Sequence, residues 1–142
     1  MARIALGVEY DGAAHFGWQR QQKLPSVQGY LEKALSAVAN TTIDVQCAGR
    51  TDAGVHALGM RVHADIAKEI ASFRLMEAIN AHLRPDPIVV IACETVDDDW
   101  HARFSCVERS YLYRILNRRA RPTLDRGRVW HVATELDAAA MH

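Results

Sequence analysis

The fold of this chain is most constrained by the order in which alternating and helical patterns of apolar residues follow one another. Apolar residues alternate from Arg3 to Tyr10, which indicates a half-buried strand, and recur at helical spacing from Ser26 to Asn40. The later patterns indicate strand Thr42–Ala48, strand Val55–Ile66, a helix from Ser72 and strand Ile88–Val96. This order predicts an α+β fold, namely a ferredoxin-like (RRM-like) split βαβ domain with an antiparallel sheet.

Two serines mark the expected starts of the helices. Ser26, directly after Pro25, is the predicted N-cap of the first helix, and Ser72 is the predicted N-cap of the second. The second helix is expected to end before a pair of prolines, Pro85 and Pro87. Its predicted apolar face consists of Phe73, Met76, Ala78, Ile79 and Leu83.

The end of the chain repeats the order of its beginning. Residues alternate again in Val107–Asn117, a loop rich in Pro and Arg follows, and Thr134 with Asp137 forms a capping box that predicts a helix. We therefore predict an N-terminal ferredoxin-like domain over residues 1–105, which carries the Asp52 loop, and the truncated beginning of a second related α/β domain over 106–142. A single domain with a fifth strand and a frayed tail remains an alternative.

Charge and cysteine content limit the classes of function. Lys plus Arg equals Asp plus Glu at 17 each in 142 residues, so no overall basic field points to nucleic acid. Eight arginines between Arg103 and Arg128, with only two acids among them, form either a polyanion-binding face or a solvated loop. The three cysteines contain no CxxC pair, which argues against a disulfide framework or zinc ribbon, and no signal peptide or membrane span is indicated. We expect a cytoplasmic protein.

The stretch GRTDAGVHA, residues 49–57, is the strongest candidate for chemistry. It places Asp52 at a predicted hairpin connection among Gly49, Ala53 and Gly54, whose small size would allow a large substrate to approach. On the local pattern alone an ordinary turn is favoured, because Asp close to Gly is a common turn signal. A second loop, YDGAAHFGWQRQQ, contains aromatic residues that either pack on the core or grip a ligand, namely His15, Phe16 and Trp18.

GRTDAGVHA strongly resembles the corresponding motif of the tRNA pseudouridine synthase A family. Further landmarks of that family occur in the same order along almost the whole chain: YDG with FGWQRQ, VQGYLEKAL, INAHLRPD, WHARFSC, ERSYLYRI and LDAAAM. The resemblance implies an isomerase that converts uridine to pseudouridine at positions 38 to 40 of the tRNA anticodon stem-loop, without metal or organic cofactor. It also implies a homodimer whose subunits have two related α/β domains with the active site between them.

The resemblance also implies roles for single residues. Asp52 matches the catalytic aspartate, which acts as a nucleophile or stabilises positive charge at C1′ of the ribose. Arg50 either favours the ionised carboxylate or fills the space that the flipped base leaves. Tyr111 matches the active-site tyrosine that stacks on the base, although a core aromatic on a strand is the alternative. The predicted substrate-binding residues are Arg20, Arg50, Thr51, His56 and Tyr111. The predicted RNA-facing surface is the Arg-rich stretch together with His56 and the loop of residues 16–20.

Two departures from the family pattern stand out. Met60 and Arg61 follow Gly59 where the family usually has Gln, so a polar contact there is in doubt. The family also continues well past the position of His142. We therefore expect this chain, if complete as given, to bind tRNA weakly and to be inactive or nearly so.

Two other classes of function are alternatives to the synthase. A non-catalytic RRM-like RNA-binding module agrees with the predicted order of elements, but no RNP1-type aromatic run occurs on the strands. A metal-dependent protein would have to use pairs such as His56 with His63 or Cys93 with His101, whose spacing matches no common ligand pattern.

Overall fold

The first part of the chain forms the expected succession of strands and helices. The computed structural model describes all of residues 1–142, which divide into two compact units, Met1–Val107 and Glu108–His142. The first unit consists of β1 (Ala2–Tyr10), α1 (Val27–Ala39), β2 (Gln46–Cys47), β3 (Ala57–Ile66), α2 (Ser72–Leu83) and β4 (Ile88–Val96). Its four strands form one sheet in the order β2-β3-β1-β4, with every neighbouring pair antiparallel. The predicted mixed α/β fold with an antiparallel sheet is therefore confirmed.

The alternation of β1 explains where the core lies. Ile4, Leu6, Val8 and Tyr10 are all buried, since successive side chains of a strand point to opposite faces of the sheet. The two helices contribute their own apolar stripes to the same cluster, including Leu31, Leu35, Ile79 and Leu83. Burial of such side chains contributes roughly 1.5–3 kcal/mol each, so this single core carries most of the stability of the first unit.

The two helices differ in how well their ends were predicted. The Ser26 side chain accepts a hydrogen bond from the Gly29 amide at 3.1 Å, which confirms it as the N-cap of α1. The prediction for Ser72 was wrong, because Ser72 is the first residue of α2 and Ala71 caps the helix without a side-chain bond. Phe73 was also placed wrongly: α2 buries Leu75, Ile79 and Leu83, which lie four residues apart, and Phe73 is 69% exposed.

β2 is shorter than the predicted strand Thr42–Ala48. Ile43 and Val45, which precede it, are buried, but their backbone donors bond to side chains of α1 instead of a neighbouring strand. Ile43 N donates to Ser36 Oγ at 2.9 Å, and Val45 N donates to Glu32 Oε1 at 3.1 Å. The pairing with β3 therefore begins only at Gln46 and Cys47.

The segment after β4 packs on the sheet face opposite the helices. Ala102 N donates to Nδ1 of His63 at 3.1 Å, and His63 is buried beneath the rings of Trp100 and His101. Arg3 forms a bidentate pair with Asp65 and also donates to the Asp98 and Trp100 carbonyls at 2.8 and 2.9 Å. Backbone and side-chain hydrogen bonds thus fasten this segment to β1 and β3.

A side chain of α2 contacts the outer edge of the sheet. Asn80 accepts a hydrogen bond from Val90 N at 2.7 Å and donates one to Val90 O at 2.9 Å. β4 is an edge strand, so both main-chain groups of Val90 are satisfied by a helix and not by another strand.

The second unit is smaller and differs from its prediction in three places. It contains β5 (Ile115–Asn117), β6 (Trp130–Val132) and α3 (Ala138–Met141), and the two strands pair in parallel. The strand predicted from Val107 begins only at Ile115, and β6 lies within the predicted loop. The capping box at Thr134 was wrong as well, because Asp137 caps α3 by accepting from Ala140 N at 3.2 Å. That this unit begins a second related domain stays a prediction.

Candidate functional site

Asp52 lies on the connection between β2 and β3, as the sequence predicted for a hairpin. The ladder between these strands extends to Ala48, whose amide donates to Arg61 O at 2.8 Å. The chain then turns back through a hydrogen bond from Val55 N to Asp52 O at 3.2 Å, with Gly54 in the left-handed region at φ 82°. The Asp52 side chain is exposed and bonds to no group of the chain. The turn and the catalytic interpretations are therefore compatible.

The loop after β1 packs against the backbone of the Asp52 turn. Trp18 N donates to Thr51 O at 3.0 Å. Gly17 has φ 88°, and a Cβ there would lie 2.9 Å from Thr51 O and 3.4 Å from the Asp52 carbonyl carbon. A Cβ at Gly12 would overlap the Val55 carbonyl. Two glycines thus allow a close backbone approach that fixes the turn carrying Asp52.

The Thr51 side chain points to the core of the unit. Its hydroxyl lies 2.7 Å from the phenolic oxygen of Tyr10, which is buried beside Trp18 with ring centroids 6.1 Å apart. Burial raises the pKa of Tyr10, so its hydroxyl keeps its proton at neutral pH and can donate it to Thr51. Thr51, a predicted substrate-binding residue, is thus engaged by the core and braces the residue next to Asp52.

His56 joins the same two loops. Its Nδ1 lies 2.9 Å from Gly12 N and 3.1 Å from Asp11 Oδ1. A backbone N–H can only donate, so Nδ1 accepts from Gly12 and the ring proton sits on Nε2 in the neutral form. An ion pair with Asp11 requires the protonated ring and the loss of the Gly12 bond. The bond from Gly12 N to His56 Nδ1 therefore links the two loops.

Arg20 is held by acids of α1 and of the segment before β2. Its Nη1 donates to Glu32 Oε2 at 2.5 Å and lies 3.3 Å from Asp44 Oδ1. Glu32 is buried and also accepts from Gln28 Nε2 at 3.0 Å and from Val45 N. Sequence reasoning missed Glu32, although an acid directly after the core residue Leu31 was an available signal.

Arg50 makes no ion pair with Asp52 in this structure. Arg50 is exposed three residues after the end of β2, and its charge lies close enough to Cys47 to oppose the effect of burial on the pKa of that thiol. Burial raises the pKa of Cys47, and the nearby charges of Arg50 and Arg103 lower it in part. Two cations therefore lie near the strand that leads into the Asp52 turn.

The aromatic loop divides into core residues and one exposed residue. His15 and Trp18 are 5% and 2% exposed, whereas Phe16 is 51% exposed. Tyr111, in the second unit, is 72% exposed and lies outside any strand, and its role at the active site stays a prediction. No group of three or more His, Cys, Asp or Glu side chains is arranged to hold a metal ion. None of the helices is long and apolar enough to cross a bilayer.

Comparison with known proteins adds a family to this geometry. A family model described as tRNA pseudouridine synthase matches residues 7–105. The chain is 54% identical over 141 residues to tRNA pseudouridine synthase A of Zymomonas mobilis, an alignment that covers 99% of the chain and 58% of that protein. It is 56% identical over 142 residues to the protein of the same name from Rhizorhabdus wittichii, covering 100% of the chain and 56% of that protein. The chain thus spans somewhat more than half the length of the curated relatives it matches.

Proposed function

The chain belongs to the tRNA pseudouridine synthase family, and from this membership and the Asp52 turn we propose that it carries the catalytic carboxylate of a uridine-to-pseudouridine isomerase acting on tRNA. The proposed substrate is uridine at positions 38 to 40 of the anticodon stem-loop. The observation that carries the proposal is an exposed aspartate whose own backbone is fixed on both sides while its carboxylate stays open to solvent.

The reaction needs a carboxylate that reaches sugar and base together. The bond from N1 to C1′ breaks, the freed uracil turns, and C5 bonds to C1′, after which C5 loses its hydrogen as a proton and N1 gains one. Asp52 acts on the sugar or the base as nucleophile, or stabilises positive charge at C1′. No redox partner or metal is required for this balance, because atoms are only rearranged.

The need to reach a uridine inside the RNA gives roles to the residues around Asp52. A stacked uridine must be flipped out of the RNA before a protein group can reach C1′. Arg50 is free of an ion pair with Asp52 and is proposed to enter the space that the base leaves, while His56 holds the two loops together. Tyr111 is proposed to contact the flipped base, and Arg20 to support the loop that packs behind Asp52.

The strand order supports a finer description of the fold. Elements in the order βαββαβ with the sheet order β2-β3-β1-β4 are those of a ferredoxin-like, RRM-like domain, a scaffold common among RNA-binding proteins. We propose this fold for residues 1–105, a second related domain beginning at 106, a homodimer as the full-length state and the cytoplasm as its location.

The test measures tritium released from tRNA labelled at uridine C5. It uses the 142-residue chain and a chimera that adds the part of the Zymomonas mobilis relative that the chain does not match. In the chimera, Asp52→Asn, which keeps the size of the side chain, is expected to abolish release. Asp99→Asn, at an exposed aspartate of the same unit, is the matched control and is expected to retain it.

Each outcome separates the proposal from its alternative. Release that requires Asp52 supports the isomerase. Release that survives Asp52→Asn contradicts the role of that residue. If no form releases tritium while tRNA binding persists, the non-catalytic RRM-like module becomes the better account.

A further inference from the structure

Phe16 is an exposed aromatic residue beside the Asp52 turn. Its two aromatic neighbours in the loop are buried, yet half of the Phe16 surface is exposed and its ring has no aromatic partner in the chain. The next residue, Gly17, is the one whose backbone lies against Thr51 and Asp52. Because consecutive Cα atoms are about 3.8 Å apart, the Phe16 side chain emerges within one residue of that contact.

The backbone holds Phe16 in a fixed position. Phe16 N donates to Pro25 O at 3.0 Å, and Gln21 Nε2 donates to Phe16 O at 2.8 Å. The buried rings of His15 and Trp18 anchor the chain on either side. A group held in this way loses little conformational entropy when a ligand binds to it.

The charge pattern around Phe16 suits a nucleotide. An exposed arginine, Arg50, and the exposed carboxylate of Asp52 lie on the neighbouring turn. The phosphate of a nucleotide would therefore meet Arg50, its ribose would meet Asp52 and its base would meet Phe16. Aromatic side chains stack on nucleobases of any sequence, because every base has a π-face.

We propose that Phe16 is a nucleobase-stacking residue, which contacts the face of an RNA base next to the uridine that Asp52 acts on. This inference rests on the proposed function and assigns one kind of contact, base stacking, to the one exposed ring of the aromatic loop. Stacking of a base on Phe16 contributes affinity without an ionic contact. Removal of the Phe16 ring should therefore weaken RNA binding without changing the dependence of Kd on salt.

The experiment measures binding of a fluorescent anticodon stem-loop RNA to the 142-residue chain at several salt concentrations. Phe16→Leu is expected to raise Kd about 5- to 20-fold, the lower part of the range for one stacked base, because leucine retains some apolar contact. The slope of log Kd against log salt is expected to stay the same. Phe16→Tyr keeps the ring and is expected to bind as the original chain does.

Phe73→Leu is the matched control, since Phe73 is 69% exposed on α2, away from the Asp52 turn, and is expected to leave Kd unchanged. Far-UV circular dichroism verifies that each variant is folded. Equal Kd values for the original chain and a folded Phe16→Leu would overturn the stacking role while leaving the proposed function intact. The same measurement is made with the chimera described above, and no RNA binding by either the original chain or the chimera would overturn both. A changed salt slope in Phe16→Leu would show an electrostatic effect and also reject stacking.

Discussion

Replacing the buried Glu32 by Gln tests what holds α1 to the segment before β2. Glu32 accepts from Arg20, Gln28 and Val45, so all its neighbours are donors. A glutamine offers one acceptor and one donor, and in either orientation its NH₂ faces another N–H. A hydrogen bond to a charged group is worth about 1.5–3 kcal/mol, and an unsatisfied buried donor costs about 1–3 kcal/mol. We expect Glu32→Gln to lower the free energy of unfolding by about 1.5–3 kcal/mol.

The assay is urea denaturation at pH 7 followed by far-UV circular dichroism. Glu77→Gln, at an exposed glutamate of α2, is the control and is expected to change stability by less than about 0.5 kcal/mol. Arg20→Gln separates the contribution of the ion pair from that of the hydrogen bonds that Gln28 and Val45 donate to Glu32. Because 58% of the Arg20 side chain is exposed, its replacement is expected to lower the free energy of unfolding by no more than about 1 kcal/mol. If Glu32→Gln unfolds at the same urea concentration as Glu77→Gln, the reasoning is refuted.

Two further predictions concern Gly17 and His63. Gly17→Ala is expected to destabilise the protein by at least about 1–2 kcal/mol, because alanine disfavours φ 88° and its Cβ would crowd Thr51 O. Thermal melts should show this loss. The control Gly59→Ala should show none, because nothing lies within 4 Å of a Cβ at that position. Burial lowers the pKa of His63 below its ordinary 6.5, and the charges of His101 and Arg3 lower it further. As the pH falls, His63 is therefore protonated at a higher pH in the unfolded chain than in the folded one, so the free energy of unfolding decreases below pH 6.5. His63→Asn keeps an acceptor for Ala102 N and should flatten this fall in urea melts between pH 8 and 5; an unchanged pH profile would contradict it.

The parts of the fold that were predicted correctly depend on local patterns. The span of β4 and the N-cap of α1 follow from neighbouring residues in the sequence, and the structure reproduces both. The length of β2 was not predictable in this way, because side chains of α1 take the backbone donors of Ile43 and Val45. In Val107–Asn117 alternation alone was insufficient, since most of that segment lies outside any strand.

The same distinction applies to the candidate site. The position of Asp52 on a turn among small residues was visible in GRTDAG. The pairing of Tyr10 with Thr51 and the contact of Gly17 with that turn join residues more than thirty positions apart, so no local rule indicates them. Of the three aromatic residues in the first loop, only the structure distinguishes Phe16 from the buried pair.

The two hydrogen bonds between the Asn80 side chain and the main chain of Val90 have a consequence for how this protein behaves at high concentration. An open edge strand invites pairing with a second molecule, and Val89 and Ile91 on either side of Val90 are exposed and apolar. The Asn80 side chain mimics a peptide group of an incoming strand and occupies both hydrogen-bonding positions at the centre of that apolar stretch. A helix thereby protects the sheet from self-association at the place where the sequence of β4 would most favour it.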